Sequence, residues 1–399
     1  MKIILGVDAI TRPLTGTGRY ALELAKRLPL SAEICEAIFF AHGNFVSQGA
    51  LLNICEGTSV NSSDIRWHII SMLRRRLAQS PLFSNTYNKL IPIIGKVRLR
   101  PYSGYLFHGT GFLLPPHDGP SVVTIHDLSV FRRPEWHPRT RVKRQNAVIG
   151  RTLGMVSHII TDSETVRQEV IDYFSWPAER ITAVPLGVNG RFIRRDHDEV
   201  NRVLGDFGLT DGSFTLSVAT VEPRKNIERL IMAYEKLPVS LRSRYPLVIA
   251  GDNGWKSEDI HDLMDEAKRK GWLKYLGYVP DSCLPALYSG CRAFLYPSLY
   301  EGFGLPILEA MACGAPVLTS NCSCMPEVAG DAGILVDPKD VESISAGIEK
   351  ALTDDQWRLQ AAERGIGRSR SMTWDISAHK TVEVYRKVWE ERVTGDPSK

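Results

Sequence analysis

Several features that would assign this 399-residue chain to a particular class are scarce or missing. No apolar run is long enough to span a membrane, and Met1-Lys2-Ile3-Ile4 leads into a predicted core strand without the basic region and cleavage site of a signal peptide. Only Cys322 and Cys324, of 7 cysteines, lie close together, which is too few ligands for a metal site. We therefore expect a cytoplasmic protein with reduced thiols, whose 43% hydrophobic residues form an ordinary globular core.

The segment 300–314, YEGFGLPILEAMACG, predicts a glycine-rich turn followed by a helix. Free N–H groups at the start of such a helix can bind a diphosphate. Glu301 precedes the helix, where it can accept hydrogen bonds from sugar hydroxyls, and Glu309 lies about one turn into the helix, where it can hold a ribose diol. The segment thus predicts a nucleotide-sugar site that also includes Gly302, Phe303, Gly304 and Leu305. An ordinary glycine-led helix is the alternative.

A second segment places two cations after a buried strand. The strand predicted over 215–219 runs into TVEPRKNI, where a helix opens. Arg224 and Lys225 then lie beside a helix N-terminus, which suits the two charges of a pyrophosphate before and after the sugar leaves. Glu222 is expected to orient or neutralise them. A solvated charged turn is the alternative for this segment.

Together these two segments resemble a known family. The seven residues between Glu301 and Glu309, and the sequence EPRKN at 222–226, are similar to signatures of the retaining glycosyltransferases of family 4. Nearly the whole chain resembles bacterial mannosyltransferases of O-antigen or exopolysaccharide assembly. The resemblance implies phosphate binding by Arg224 and Lys225. It also implies an α/β protein of the GT-B fold, in which two Rossmann-like, doubly wound domains face a cleft and a C-terminal helix crosses back.

Polar residues also follow two strands of the N-terminal half. Gly16, Thr17 and Gly18 come after the first predicted strand but lack the full dinucleotide fingerprint. The resemblance implies that this glycine loop closes over the donor phosphates, and a plain tight turn is the alternative. His126 and Asp127 end a strand at the edge where open parallel sheets bind ligands. The resemblance implies that His126 lies close to the transferred sugar, while Asp127 aligns it or faces the acceptor.

The resemblance assigns three further segments. FRRPEWHP at 131–138 looks like the acceptor-side loop of the mannosyltransferases. TDSETV at 161–166 predicts a helix cap of mainly structural importance, with Ser163 as a second candidate near the phosphates. The backbone around Val279 would form the base pocket, where the side chains say little about guanine against uracil.

Alternating strand and helix patterns divide the chain into two blocks. We expect residues 1–190 to form an acceptor-binding domain and residues 191–373 to form the nucleotide-sugar-binding domain. Residues 374–393 predict one long helix, which by the resemblance crosses back onto the first domain.

Basic residues are concentrated in one part of the chain. Between Arg66 and Arg151 there are about fifteen Lys or Arg and only three acidic residues. The cations at 74–76, 89, 96, 98 and 100 flank apolar stretches, as in a surface helix at an anionic membrane. This pattern predicts peripheral membrane contact, with a merely solvated face as the alternative, and the resemblance implies that the membrane is the inner one. No recognition motif for nucleic acid accompanies the cations.

The expected mechanism needs no metal. No D-x-D pair lies at a predicted strand end, so Arg224, Lys225 and the helix N-terminus near Gly304 would meet the pyrophosphate charge. The resemblance implies retention of configuration. The general base stays open, with the departing phosphate as one candidate, and Glu301 is then an orienting group beside His126 and Asp127. The resemblance also implies GDP-mannose or GDP-rhamnose as donor and a sugar chain on a polyprenyl diphosphate as acceptor.

Other functions stay open at this point. The donor could be a UDP- or dTDP-sugar, because the base pocket is not readable. A GT-B nucleotide-sugar epimerase would act without an acceptor, and a phosphorylase would need a cofactor-binding lysine motif that the sequence does not show. A non-catalytic nucleotide-binding scaffold would need neither Glu301 nor a sugar.

Overall fold

The structure, a computed structural model, describes residues 1–11, 14–56, 94–255 and 257–393. Much of the basic segment for which membrane contact is predicted, including the cations at 74–76 and 89, lies outside these residues. Within the described ranges, no helix combines the length and apolar character needed to cross a membrane.

The first sheet is built from the N-terminal half. Its strands are Lys2–Gly6 (β1), Glu36–Ala41 (β2), Asn44–Val46 (β3), Leu106–Gly109 (β4), Ser121–Ile125 (β5), His158–Thr161 (β6) and Ile181–Ala183 (β7). They lie in the order β3-β2-β1-β4-β5-β6-β7, and only β3 runs antiparallel to its neighbour. The inner strands β4, β5 and β6 are buried throughout, as a parallel sheet covered on both faces requires.

The second sheet comes from the C-terminal half. Its strands are Thr215–Val218 (β8), Leu247–Ala250 (β9), Leu273–Gly277 (β10), Ala293–Tyr296 (β11), Val317–Ser320 (β12) and Gly333–Val336 (β13). The order is β10-β9-β8-β11-β12-β13, with every pair parallel. This is the doubly wound order, which reverses between β8 and β11. The predicted α/β class with two Rossmann-like sheets is confirmed.

Helices connect and cover both sheets. In chain order they are Gly16–Arg27 (α1), Gln48–Glu56 (α2), Ser129–Arg132 (α3), Arg139–Met155 (α4), Glu164–Phe174 (α5), His197–Asp206 (α6), Ile227–Glu235 (α7), Val239–Arg244 (α8), Glu258–Arg269 (α9), Leu284–Gly290 (α10), Leu305–Ala312 (α11), Met325–Ala329 (α12), Val341–Thr353 (α13), Asp355–Ser369 (α14) and Trp374–Val393 (α15). Residues 94–99 are also helical. Several starts are set by local sequence, since the Ser163 hydroxyl accepts from Val166 N at 3.2 Å and so caps α5 as predicted.

The final helix α15 packs on the first sheet although it follows the second along the chain. Tyr385 lies against β4, with its hydroxyl 2.5 Å from His108 Nδ1, and the buried Trp374 ring lies 6.3 Å from that of Tyr20 in α1. The chain after β7 meets the start of this helix closely, because a Cβ at Gly187 would lie 2.0 Å from Trp374 N. The predicted crossing of the C-terminal helix is confirmed.

Gly187→Ala tests this crossing point. The added methyl would collide with backbone atoms, which cannot move aside as a flexible side chain can. Overpacking costs about 1–3 kcal/mol or more, so we expect the midpoint of thermal unfolding to fall by several degrees. Gly190→Ala is the matched control, because a Cβ there meets nothing within 4 Å. Equal midpoints for the two variants would contradict the close crossing.

Candidate active site

Arg224, Lys225 and Glu301 lie at the carboxyl edge of the second sheet, on both sides of the point where the strand order reverses. Arg224 and Lys225 follow β8, and Glu301 follows β11, which is the neighbour of β8. The two loops contact each other directly, since Leu299 N donates to Arg224 O at 2.9 Å. Open α/β sheets bind ligands at such a switch point. The structure therefore brings together the two segments that the sequence analysis singled out.

Glu301 lies between the two cations. Its Oε2 accepts from Arg224 Nη1 at 2.8 Å, and its Oε1 accepts from Lys225 Nζ at 2.7 Å and from the Tyr296 hydroxyl at 3.0 Å. Glu301 is only 5% exposed. Burial alone would raise the pKa of this carboxyl, but Arg224 and Lys225 outweigh burial and hold its pKa below the ordinary value. Glu301 is therefore an ionised counter-charge to the two cations. A sugar hydroxyl that donates to Glu301 would share carboxylate oxygens that already accept from Arg224, Lys225 and Tyr296.

Glu222 completes the charge balance. Its Oε1 accepts from Arg224 Nε at 3.1 Å and from Nη2 at 2.9 Å, so the planar guanidinium is held by a carboxylate on each side. Two cations thus face two carboxylates in this cluster. Burial lowers the pKa of Lys225, with the charge of Arg224 as the next cause. The predicted orienting role of Glu222 agrees with this geometry.

The turn that carries the cations is fixed by Asn226. This residue has a φ of +59°, and its side-chain amide donates to Pro297 O at 2.9 Å and to Pro338 O at 2.7 Å. The sequence pattern predicted a helix opening at this segment. The helix does open there, since α7 begins at Ile227 after a short 3-10 turn over Pro223–Lys225.

Two helix N-termini meet beside this cluster. Gly304, with a φ of +97°, precedes α11 as predicted, and a Cβ at Gly16 would lie 4.0 Å from Leu305 Cδ1. The predicted glycine loop at 16–18 is instead the first turn of α1, where Gly18 N donates to Thr15 Oγ1 at 3.2 Å. The free N–H groups of both helices provide a favourable position for an anion.

Two other predicted donor residues have buried side chains. Phe303 is 4% exposed and Val279 is 5% exposed, and both belong to the same apolar core. Their side chains pack inside the protein, so a ligand would meet these positions through the backbone.

Glu309 is paired with a residue that the sequence analysis did not select. Arg19, in the first turn of α1, donates from Nη1 to Glu309 Oε1 and from Nη2 to Asp281 Oδ2 at 2.8 Å. Tyr288 OH lies 3.4 Å from the other oxygen of Glu309. Burial raises the pKa of Glu309, and Arg19 opposes this shift. The only sequence signal for Arg19 is that it directly follows Gly18.

His126 is held inside the first domain. Its Nδ1 lies 2.7 Å from Asp162 Oδ2, and its Nε2 lies 3.2 Å from the Thr110 carbonyl, to which it must donate. Burial alone would lower the pKa of His126, but Asp162 outweighs burial and raises it. The His126 carbonyl is the group that reaches the second domain, since a Cβ at Gly302 would lie 1.9 Å from it.

Asp127 does not align the His126 ring, which was one of its two expected roles. Its Oδ1 accepts from Ser129 N at 2.9 Å and from the Ser129 hydroxyl at 2.6 Å, which turns the carboxylate away from the imidazole. Asp162 takes the aligning position because it follows β6, the strand beside β5. Burial would raise the pKa of Asp127, but Arg224 and the bonds from Ser129 lower it. Asp127 therefore carries a negative charge toward the cation cluster.

Contacts between the two domains surround these residues. Ser163 Oγ donates to Gly302 O at 2.8 Å, and Leu128 N donates to the Tyr300 hydroxyl at 3.1 Å. That hydroxyl also donates to Glu169 Oε2 at 2.5 Å. Ser163 thus contacts the turn before α11. The cleft between the sheets is closed at the Glu301 turn.

The predicted acceptor-side loop lies at the mouth of the same cleft. Trp255 of the second domain donates from Nε1 to Trp136 O at 2.5 Å, and the Arg141 guanidinium lies 5.8 Å from the Trp255 ring. Helix α4, which follows this loop, contains no acidic residue. Its exposed cations are Arg139, Arg141, Lys143, Arg144 and Arg151.

The described residues offer no group of three or more His, Cys, Asp or Glu arranged to hold a metal ion. The cysteines among them are free thiols, so the described chain has no disulfide.

Comparison with known proteins matches both halves of the chain. The family model for glycosyl transferases group 1 matches residues 207–368, and that for glycosyltransferase family 4 matches residues 14–191. O-antigen chain mannosyltransferase B of Escherichia coli is 41% identical over 386 residues, which are 97% of this chain and 100% of that protein.

Solved structures share the whole architecture. Sucrose-phosphate synthase from Thermosynechococcus elongatus superposes with a TM-score of 0.71 at 19% identity, covering 98% of this chain and 99% of that one. HepE of Anabaena, crystallised with UDP and glucose, gives a TM-score of 0.71 at 18% identity, covering 97% and 100%. At these identities the likeness establishes the fold alone.

Asp162→Asn tests the charge coupling at His126. In the native protein we expect the pKa of His126 to lie above 6.5, because Asp162 outweighs burial. The pair then stabilises the fold fully below pH 6.5, and this contribution is lost as pH rises through the folded-state pKa. In the variant burial is opposed only by the hydrogen bond to Thr110 and by the charge of Asp127, so the pKa of His126 should be lower than in the native protein. Histidine-labelled NMR titration measures both values.

Two controls accompany this titration. His126→Gln assigns the His126 signal, and His158, whose pKa burial lowers to about 4, should be unaffected by Asp162→Asn. An unchanged His126 pKa in the variant would contradict the coupling.

Proposed function

The chain belongs to glycosyltransferase family 4 and is a glycosyltransferase of the GT-B fold, and on this basis we propose that it transfers mannose from GDP-mannose, or rhamnose from GDP-rhamnose, to a lipid-linked glycan. The product would be O-antigen or a related polysaccharide. The mannosyltransferase of Escherichia coli, at 41% identity, supports the choice of sugar and product. In this proposal residues 191–373 bind the donor, and residues 1–190 with helix 374–393 bind the acceptor.

One observation carries this proposal: the balanced cluster of Arg224, Lys225, Glu222 and Glu301 at the switch point of the second sheet. A diphosphate placed there would contact the exposed edges of both cations and the N-termini of α1 and α11. As the bond to the sugar breaks, negative charge grows on the leaving diphosphate. Fixed cations and oriented N–H groups stabilise that charge more strongly in the transition state than in the ground state.

The remaining groups orient the sugar. Glu301 is ionised and anchored on two cations, so it holds a fixed position beside the anomeric centre and accepts from sugar hydroxyls. The His126 carbonyl and the ionised Asp127 lie on the opposing domain, where they place negative charge near the positive character that develops on the sugar. The departing phosphate takes the proton of the acceptor hydroxyl, and the configuration is retained. The two cations and the helix N-termini bind the diphosphate without a metal.

Nucleotide titration tests the donor proposal. We expect calorimetry to show tighter binding of GDP than of UDP, dTDP or ADP, with and without magnesium. Arg224→Ala removes charge-assisted hydrogen bonds worth about 1.5–3 kcal/mol each, so the GDP affinity should fall about tenfold or more.

Glu301→Gln keeps the side-chain shape and releases the cations, so GDP binding should persist while transfer from GDP-mannose falls about a hundredfold or more.

Arg292→Ala is the matched control for Arg224→Ala. Both side chains are 18% exposed and ion-paired, but Arg292 pairs with Asp355, which belongs to α14 and not to the nucleotide cluster. A preference for UDP or dTDP would replace the donor and leave the enzyme class intact. Full transfer activity of Glu301→Gln would contradict its orienting role. Absence of any nucleotide binding would favour a scaffold.

In the native enzyme, ¹H NMR of the product anomer that forms first tests whether the anomeric configuration of the donor sugar is retained.

We also propose that the enzyme binds the anionic membrane surface that carries its acceptor. Within the described residues, the exposed cations of α4 lie beside the acceptor-side loop and have no acidic residue on their helix. This face would act together with the basic residues at 74–100. A juxtamembrane cation contributes about 1 kcal/mol at an anionic surface.

Vesicle sedimentation tests this contact. We expect the enzyme to bind phosphatidylglycerol-containing vesicles but not neutral ones, and less strongly as salt rises. The triple variant Lys143→Gln, Arg144→Gln, Arg151→Gln should lose affinity about a hundredfold. The control with the same change in charge is Lys268→Gln, Arg269→Gln, Lys270→Gln at the end of α9. Equal binding by the two triple variants would contradict a specific role for α4.

A further inference from the structure

One cation of the first domain lies inside the donor side of the second domain. Arg19 belongs to α1 and is only 9% exposed. Its guanidinium bonds both Glu309 of α11 and Asp281 of the loop after β10. Arg191 shares Asp281 at 3.0 Å, so Asp281 would keep a cationic partner if Arg19 moved. Glu309, by contrast, has no other cation bonded to it among the described residues.

Local packing directs Arg19 across the cleft. A Cβ at Gly18 would lie 2.6 Å from Ala9 O, so the first turn of α1 packs tightly on the segment before it. The following side chain is thereby directed toward the second domain, where the Phe192 ring lies 5.9 Å from its guanidinium. The position of Arg19 is therefore built into the start of α1.

This contact occupies the carboxylate that is expected to hold the donor ribose. Glu309 Oε1 is bonded to Arg19, and Tyr288 OH lies 3.4 Å from Oε2. A neutral ribose diol offers weaker hydrogen bonds than a guanidinium does, and displacing Arg19 without replacement would leave a buried cation short of negative charge. A nucleoside alone therefore cannot displace Arg19 without a large penalty.

A nucleoside diphosphate brings the missing charge with it. Glu309 is four residues beyond Leu305, so the Cα atoms of these two residues are separated by about 6 Å along the helix axis. Gly16, one turn before Arg19, already lies against Leu305. The phosphate position at the helix start is thus within reach of a rotamer change of Arg19.

We propose that Arg19 is a donor-binding residue that exchanges the carboxylate of Glu309 for a phosphate of the nucleotide while it keeps its bond to Asp281. The exchange frees Glu309 for the ribose diol in the same step. Arg19 therefore makes ribose recognition depend on the diphosphate and discriminates against nucleosides. This inference rests on the proposed nucleotide-sugar site and adds to it a residue from the opposing domain.

The test compares ligands with and without phosphate. GDP is titrated by calorimetry, and guanosine binding is measured by ligand-observed NMR, on the native protein and on Arg19→Gln. We expect Arg19→Gln to weaken GDP about tenfold or more, because a charged hydrogen bond to phosphate is lost. Guanosine should bind at least as tightly as to the native protein, because Glu309 is no longer occupied. The ratio of the two affinities is the readout that a purely structural role would not shift.

Two further variants keep this result interpretable. Arg27→Gln, on the same helix but paired with Glu23 and Asp375, should leave both affinities unchanged. The double variant Arg19→Gln, Glu309→Gln removes the carboxylate that Arg19→Gln leaves unpaired, so it should fold if the single variant does not. The affinities of this double variant for GDP and for guanosine should both be lower than the affinity of the native protein for GDP.

The outcomes separate the two proposals. If the native protein binds UDP in place of GDP, the same comparison with uridine decides the role of Arg19. Equal weakening of both ligands, or unchanged GDP affinity, in Arg19→Gln would overturn the exchange while the nucleotide site stands. If no nucleoside diphosphate binds the native protein, the proposed donor site fails and the exchange fails with it.

Discussion

Charge neutrality inside a closed cleft is the constraint on which the site depends. The buried cations of the site have carboxylate partners: Arg224 and Lys225 face Glu222 and Glu301, and Arg19 faces Glu309 and Asp281. Removing one member of a buried pair costs about 3–5 kcal/mol, because the remaining charge is left without water or a counter-ion. In the proposed donor complex, the negative groups of the donor meet cations that already have carboxylate partners, and the two ion clusters define where those groups would lie.

The same constraint connects the site to the fold. The cations and carboxylates stand at the carboxyl ends of neighbouring parallel strands, β8 and β11, and at the starts of α1 and α11. The opposing sheet contributes backbone and hydroxyl groups, of which the His126 carbonyl packs against Gly302 and Ser163 donates to the Gly302 carbonyl. These contacts close the cleft beside Glu301, so the sugar position proposed there is bordered by both domains.

The sequence alone predicts the fold more completely than it predicts the contacts of the candidate site. Two blocks of alternating strands and helices, with Arg224 and Glu301 after buried strands, are enough for the doubly wound architecture and for the meeting of these two residues. The partners Arg19 and Asp162 were missed because they are brought in from strands and helices far away in the chain, and no local spacing marks them. The aligning role of Asp127 was wrong for a related reason, since the neighbouring Ser129 offers it two hydrogen bonds that a strand pattern does not reveal. Its other role, facing the acceptor, stays a prediction.

Phosphate is recognised mainly by particular side chains, whereas the base would be recognised mainly by the backbone. Phosphate is recognised by charges and helix ends. Only a few residue types and a glycine turn can provide these features, so a phosphate site can be predicted from the sequence. The base pocket around Val279 would act through the backbone, because that side chain is buried in the apolar core. Any residue that fits the core would serve there. Under the proposed function, main-chain position would therefore select the base, whereas Arg224, Lys225 and the proposed exchange at Arg19 would require a diphosphate.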